Sequence, residues 1–108
     1  MSQAQAWLLL VLSGLVDVAW AFAAKQADGF RNLTWSLVSI GLLLLFVLLL
    51  TKALQALPLG TAYVVWTGIG ASGSVLVGAL VFGEGLSMAK LVACVVILGG
   101  IAALKLLP

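Results

Sequence analysis

Residues 7–24 read WLLLVLSGLVDVAWAFAA, from Trp7 to Ala24, and carry one charge, Asp17, near the middle. A helix rises about 1.5 Å per residue, so this run with a few flanking residues spans the roughly 30 Å hydrocarbon core of a bilayer. A carboxylate at mid-bilayer costs about 2.5–3.5 kcal/mol on insertion scales. The Leu, Val, Ala and Trp residues around Asp17 give no structural reason to bear that cost. Asp17 is therefore the first candidate functional residue.

The rest of the chain has the same character. Of its 108 residues, 65% are hydrophobic and 7% are charged, against about 25% charged in a soluble domain. Mean hydropathy is +1.34. At about 20 apolar residues per crossing, four crossings and three short loops nearly use up the length. The expected fold is an all-α membrane protein, residues 1–108 forming a single four-helix transmembrane domain with spans near 5–24, 33–51, 60–82 and 87–106. The first span lacks the basic n-region of a signal peptide, is too long for an h-region and contains Asp17, so it is expected to be retained. Multi-pass insertion in the cell (inner) membrane follows, with lipid as the surrounding partner and no nucleic-acid partner. With one cysteine, Cys94, and no histidine, neither an intrachain disulfide nor a metal or cofactor site is expected.

Working outward from Asp17, the polar run Lys25–Asn32 reads as the first turn. Span 2 is nearly all Leu, Ile, Val and Phe from Ile40 to Leu50, a lipid-facing wall. Pro58 disfavours helix continuation through the second loop. Span 3 is rich in glycine, and Gly83-Glu84-Gly85 forms the third loop. The loop charges Asp28 and Glu84 read as solvated surface, Trp7 and Trp35 as interfacial belt residues. An even number of spans puts both termini on one side. The first and third loops hold Lys25, Arg31 and Lys90, and the other side holds Lys52 and Lys105. Three against two is scarcely a positive-inside bias. Either copies insert both ways, or a single charge or a partner fixes the orientation.

On a helix, Asp17 shares a face with Ser13, Gly14, Trp20, Ala21 and Ala24. Small residues admit another helix or leave room for a ligand. Trp20 places a π face one turn from the carboxylate, which suits a cation. All five basic residues lie within snorkelling reach of an interface, so Asp17 has no countercharge within the spans. Loss of water favours the protonated form of a carboxyl. Asp17 must hold a proton or pair with a cation arriving from outside, which is the minimal apparatus of a proton-coupled cation antiporter.

Tyr63, Trp66, Thr67 and Gly70 share a face of span 3, and Tyr63 can donate to an ionised carboxylate; an interfacial belt role for Tyr63 and Trp66 is the alternative. Gly68-Ile69-Gly70 weakens the helix locally and suits a bend or close packing. Gly99 and Gly100 give span 4 a smooth stripe, expected to contact another helix or a second copy. Four short helices cannot readily surround a substrate and alternate access, and many transporters use repeats of opposite topology. A dimer of inverted copies would bring two Asp17 carboxyls into one chamber.

These residues resemble the small multidrug resistance family of four-span exporters over essentially the whole chain. The resemblance rests on Asp17-Val18-Ala19-Trp20, on Lys25 with Asp28-Gly29-Phe30, and on the long run LPLGTAYVVWTGIGA, Leu57 to Ala71. Trp20 and Trp66-Thr67-Gly68-Ile69-Gly70-Ala71 are similar to the guanidinium-exporter branch. The resemblance implies an antiparallel dimer that exchanges two protons for a small organic cation by alternating access. It places the proton and substrate site at Asp17, Trp20, Tyr63, Trp66 and Gly14. Ser13, Phe46, Thr67, Gly68 and Gly70 stand around it as supporting or gating residues. Two positions depart from the family: Asp17 stands where Glu is usual, one methylene shorter, and Phe46 stands where the guanidinium branch has a Ser that orients the carboxylate.

The reading is a proton-coupled exporter of small organic cations, guanidinium compounds first, acting as a homodimer. The alternatives are an exporter of quaternary ammonium or polyaromatic cations, one subunit of a heterodimer with a paralogous chain, and a non-transporting regulatory subunit. An enzyme is not expected, because no nucleophile–base pair is present.

Overall fold

In the computed structural model, which describes residues 1–107, the chain folds as four helices: α1 (Gln3–Gln26), α2 (Leu33–Ala53), α3 (Leu59–Val81) and α4 (Met88–Leu106). All four are long and apolar enough to cross a membrane. Their ends fall within two residues of the expected spans.

Local chemistry fixes the ends. Ser2 caps α1 in a reciprocal capping box with Gln5. Asn32 accepts from the Trp35 N–H to start α2, and Ser87 accepts from the Lys90 N–H to start α4. Lys25, Lys52 and Lys105 occupy the last turns of α1, α2 and α4, where positive charge complements the helix dipole. The α1–α2 turn takes Asp28, Gly29 and Phe30 through left-handed backbone, with φ of 50°, 65° and 66°. It closes with the Asn32 N–H on the Ala27 carbonyl at 3.1 Å. Gly83, at φ 66°, ends α3 and folds the chain back so that the Glu84 N–H donates to Gly78 O.

Helix α1 packs on α2 and α3, while α4 touches only α3 to any extent. The fully buried apolar residues Ala6, Leu10, Ala53, Ala62 and Val65 cluster where α1 begins, α2 ends and α3 begins. The Leu-rich wall of α2 faces outward at Ile40, Leu44 and Leu48, as its composition predicts. Buried Ser36 and Ser39 donate their hydroxyls to backbone carbonyls one turn back, those of Asn32 and Ser36. In α4 only Cys94 is buried, and nothing lies within 4 Å of where a Cβ would project from Gly99 or Gly100.

The molecule measures 45 × 34 × 17 Å. One chain is therefore flattened along one axis.

Candidate functional site

Asp17 lies on α1 where α1 and α3 run side by side in the same direction. The order of contacts shows this: Gly14 meets Ile69, Asp17 meets Gly70, and Val18 meets Gly73. Each contact uses a missing side chain. A Cβ at Gly14 would stand 2.7 Å from Ile69 Cγ2 and 2.9 Å from Ile69 Cβ. One at Gly70 would collide with a carboxyl oxygen of Asp17 and stand 3.3 Å from its Cγ. One at Gly68, on another face of α3, would meet Ile101 Cδ1 of α4 at 2.6 Å. The hydrogen-bonded helix runs unbroken through Gly68-Ile69-Gly70. These glycines admit Asp17 on one side and α4 on the other.

The second link comes from Ser13, one turn before Asp17. It is fully buried, and its hydroxyl donates to the Phe46 carbonyl at 2.8 Å. That carbonyl belongs to α2, so the bond pins α2 against α1 at the level of the carboxylate. Phe46 is 6% exposed. Its ring lies 5.9 Å from Trp20, edge to face, and 5.5 Å from Trp66. Trp66 in turn lies 5.6 Å from Tyr63. Rings from α1, α2 and α3 thus pack together, with Trp20 one turn after Asp17 and Trp66 one turn before its contact residue Gly70. Ser13→Ala is expected to cost about 0.6 kcal/mol of stability, the average for interhelical hydrogen bonds in a membrane bundle. An unfolding titration in detergent measures it, and an unchanged midpoint would show that the bond does not hold α2.

Of the residues singled out from sequence, Gly70 meets Asp17, Gly14 lies at the same α1–α3 approach, and Ser13, Trp20, Phe46 and Trp66 are joined by contacts through Phe46. Tyr63 does not join them within one chain. It is 56% exposed, and it precedes Gly70 by two turns, about 10 Å along the axis. Among the described residues no hydrogen bond joins it to Asp17. Thr67 is also exposed, and Gly99 and Gly100 lie on the uncovered α4. Sequence reasoning missed Ile69, the side chain that fills the notch at Gly14. It also missed that the Phe46 backbone is the partner of Ser13; nothing in the spacing links residues 33 apart.

Among the described residues no basic side chain pairs with Asp17. The ion pair among the described residues is Lys25–Glu84, at 2.9 Å with both partners about half exposed. It keeps Glu84 on the surface, as its loop position predicts, and gives it a partner there. Lys25 Nζ also stands 5.0 Å above the Phe82 ring, and Phe82 packs on Phe22. Such an exposed pair contributes at most about 1 kcal/mol. A cavity of about 200 Å³ lies between α1 and α3, lined by Val18, Ala21 and Phe22, with Lys25 and Glu84 at its charged end. The site is thus a carboxylate seated against Gly70, next to a cluster of aromatic rings and, among the described residues, with no ion-pair partner. Chemically it can bind a proton or an organic cation.

The sequence is similar to known proteins. A family model described as "Small Multidrug Resistance protein" matches residues 5–97. A "Guanidinium exporter" of Yersinia pseudotuberculosis serotype I (strain IP32953) is 45% identical over 101 residues, covering 94% of this chain and 97% of the relative. The "Guanidinium exporter" proteins of Citrobacter freundii and Salmonella typhimurium are each 43% identical over 100 residues, covering 93% of this chain and 95% of the relative.

Proposed function

The chain belongs to the small multidrug resistance family, and we propose that it is a proton-coupled antiporter exporting guanidinium-type organic cations across the membrane that its helices span. One observation carries the reading: Asp17 is a carboxylate inside a membrane span, set beside aromatic rings, and among the described residues no cationic side chain pairs with it. A proton and a substrate cation then compete for the same carboxyl, and binding of one releases the other. The relatives named for guanidinium export support the choice of cation.

The working unit is an antiparallel homodimer. The flattened form of one chain supports this. The bare glycine stripe of α4 at Gly99 and Gly100 supplies a surface on which that copy packs closely. In the dimer two Asp17 carboxyls share a chamber and titrate as a coupled pair. Trp20 and Trp66 line the chamber. Gly14 and Gly70 keep the carboxylate seated between α1 and α3, and Gly68 sets the α3–α4 approach. Tyr63, exposed and tilted against Trp66, reaches toward Asp17 of the opposite copy and donates to it when ionised. Alternating access then consists of rocking one copy against the other around a fixed site.

The test uses the chain reconstituted alone in liposomes. A proton gradient should drive guanidinium accumulation, and guanidinium should evoke currents that tetramethylammonium does not. Currents with tetramethylammonium of equal size would favour the quaternary-ammonium exporter instead. Silence with both cations, reversed by co-reconstituting a paralogous chain, would establish a heterodimer.

A further inference from the structure

We propose that the cavity between α3 and α4 binds a small neutral amphiphile, a short aliphatic chain ending in a hydroxyl, through the side chain of Ser72. This site is separate from the carboxylate and does not depend on the exporter reading.

The cavity measures about 210 Å³. Ala71, Ser72 and Val75 of α3 form one wall, and Ala93, Cys94 and Ile97 of α4 form the other. It lies across α3 from Asp17. Gly70 and Gly73 face α1, where Asp17 and Val18 meet them, whereas Gly68 faces Ile97 and Ile101 of α4. Ser72 follows Gly68 by four residues and so shares the face toward α4.

The hydroxyl in this cavity is an orphan. Ser36, Ser39 and Thr51 return theirs to backbone carbonyls one turn back, and Ser13 reaches the Phe46 carbonyl. Ser72 does neither. It is 4% exposed, and its Oγ has no hydrogen-bond partner among the described residues. A buried hydroxyl left unpaired keeps its full desolvation cost. Lipid tails cannot relieve it, because they carry neither donor nor acceptor. The Cys94 thiol on the facing wall is only a weak donor and acceptor.

These groups define the ligand. A serine hydroxyl gives one proton and can accept another, and a second hydroxyl answers both. The other wall residues, Ala71, Val75, Ala93 and Ile97, call for an aliphatic body. The mouth calls for no charge: Glu84 is bonded to Lys25 at 2.9 Å, and Lys90 donates to the Gly85 carbonyl at 2.8 Å. A water molecule takes about 30 Å³ of the liquid, and on that scale the cavity holds about seven non-hydrogen atoms, the size of hexanol. Apolar surface gains little on leaving one hydrocarbon phase for another. The hydrogen bond to Ser72 therefore decides between the cavity and the bilayer, and it separates an alcohol from an alkane.

The test is photolabelling of the full chain in phosphatidylethanolamine–phosphatidylglycerol vesicles with azibutanol, an alcohol of this size carrying a diazirine, followed by peptide mass mapping. The outward-facing Ile40, Leu44 and Leu48 of α2 report alcohol that is merely dissolved in the bilayer. Segments 71–75 and 93–97 should take up about fivefold more label than this wall, the ratio that one net hydrogen bond supplies. Excess hexanol should remove the surplus, and hexane should not. Ser72→Ala should bring labelling down to the level of α2 without loss of stability in detergent, since it deletes an unpaired group. Ala93→Phe, which fills the cavity and keeps the hydroxyl, should do the same to the label and serves if the alanine variant does not reconstitute. Labelling of the cavity no stronger than that of α2 would mean that a lipid tail or a second copy covers it, and overturns the proposal. A surplus that hexane also removes, or that survives either variant, overturns the role of Ser72.

Discussion

Asp17→Asn is expected to abolish proton-driven cation transport, lowering it at least a hundredfold, while the variant still inserts and folds. The two side chains have nearly the same shape, and the cleft beside Gly70 accepts either. Insertion should not suffer, because a neutral amide is easier to place in a bilayer than a carboxylate. What disappears is the one group that can exchange a proton for a cation. A hundredfold loss corresponds to about 2.7 kcal/mol, no more than one charge-assisted pair contributes in a desolvated site. No other carboxyl can substitute. Asp28 sits in the α1–α2 turn, and Glu84 is tied to Lys25 at the end of α3. Uptake of guanidinium compounds into liposomes under an imposed pH gradient gives the answer. Wild-type rates in the asparagine variant would rule out the antiport mechanism and shift attention to the Lys25–Glu84 end.

The sequence made some of this legible and concealed the rest, for physical reasons. Membrane spans were plain because hydrocarbon tolerates few alternatives to a run of about 20 apolar residues. Asp17 was plain for the same reason, as an expense with no structural return. The small residues at Gly14 and Gly70 announced close approach, and both approaches are present. Which face of α2 turned inward was not legible. Ile40 to Leu50 is almost uniformly apolar, so no periodicity separates Phe46 from its exposed neighbours. Its burial follows from aromatic packing on Trp20 and Trp66 and from Ser13, none of which is local in sequence. Gly68-Ile69-Gly70 suited both a bend and close packing. Its contacts with Asp17 and Ile101 give each glycine a packing role. Tyr63 shared a helical face with Trp66, but sharing a face says nothing about reach along the axis. Two turns of α3 separate it from the carboxyl of its own chain.

Gly70→Ala carries the second large effect, and it separates packing from chemistry. In a helix interior the change from Gly to Ala stabilises by about 0.5–1 kcal/mol through backbone entropy. At Gly60, in the first turn of α3, nothing stands within 4 Å of the new methyl group, so Gly60→Ala should give that gain and leave transport intact. At Gly70 the same methyl would occupy the space that a carboxyl oxygen of Asp17 now fills. Either the carboxylate swings away or α1 and α3 move apart, and the second response would give up the close packing of Gly14 on Ile69 and of Gly73 on Val18. The carboxylate therefore leaves its seat by about 1 Å. A displacement of that size can cost about a hundredfold in rate. Transport by Gly70→Ala should fall by that order, with the stability of the folded chain in detergent close to wild type. Gly70→Ala behaving like Gly60→Ala in both assays would mean that the seat against α3 is incidental, and that Asp17 works from a position it reaches only when the second copy is present.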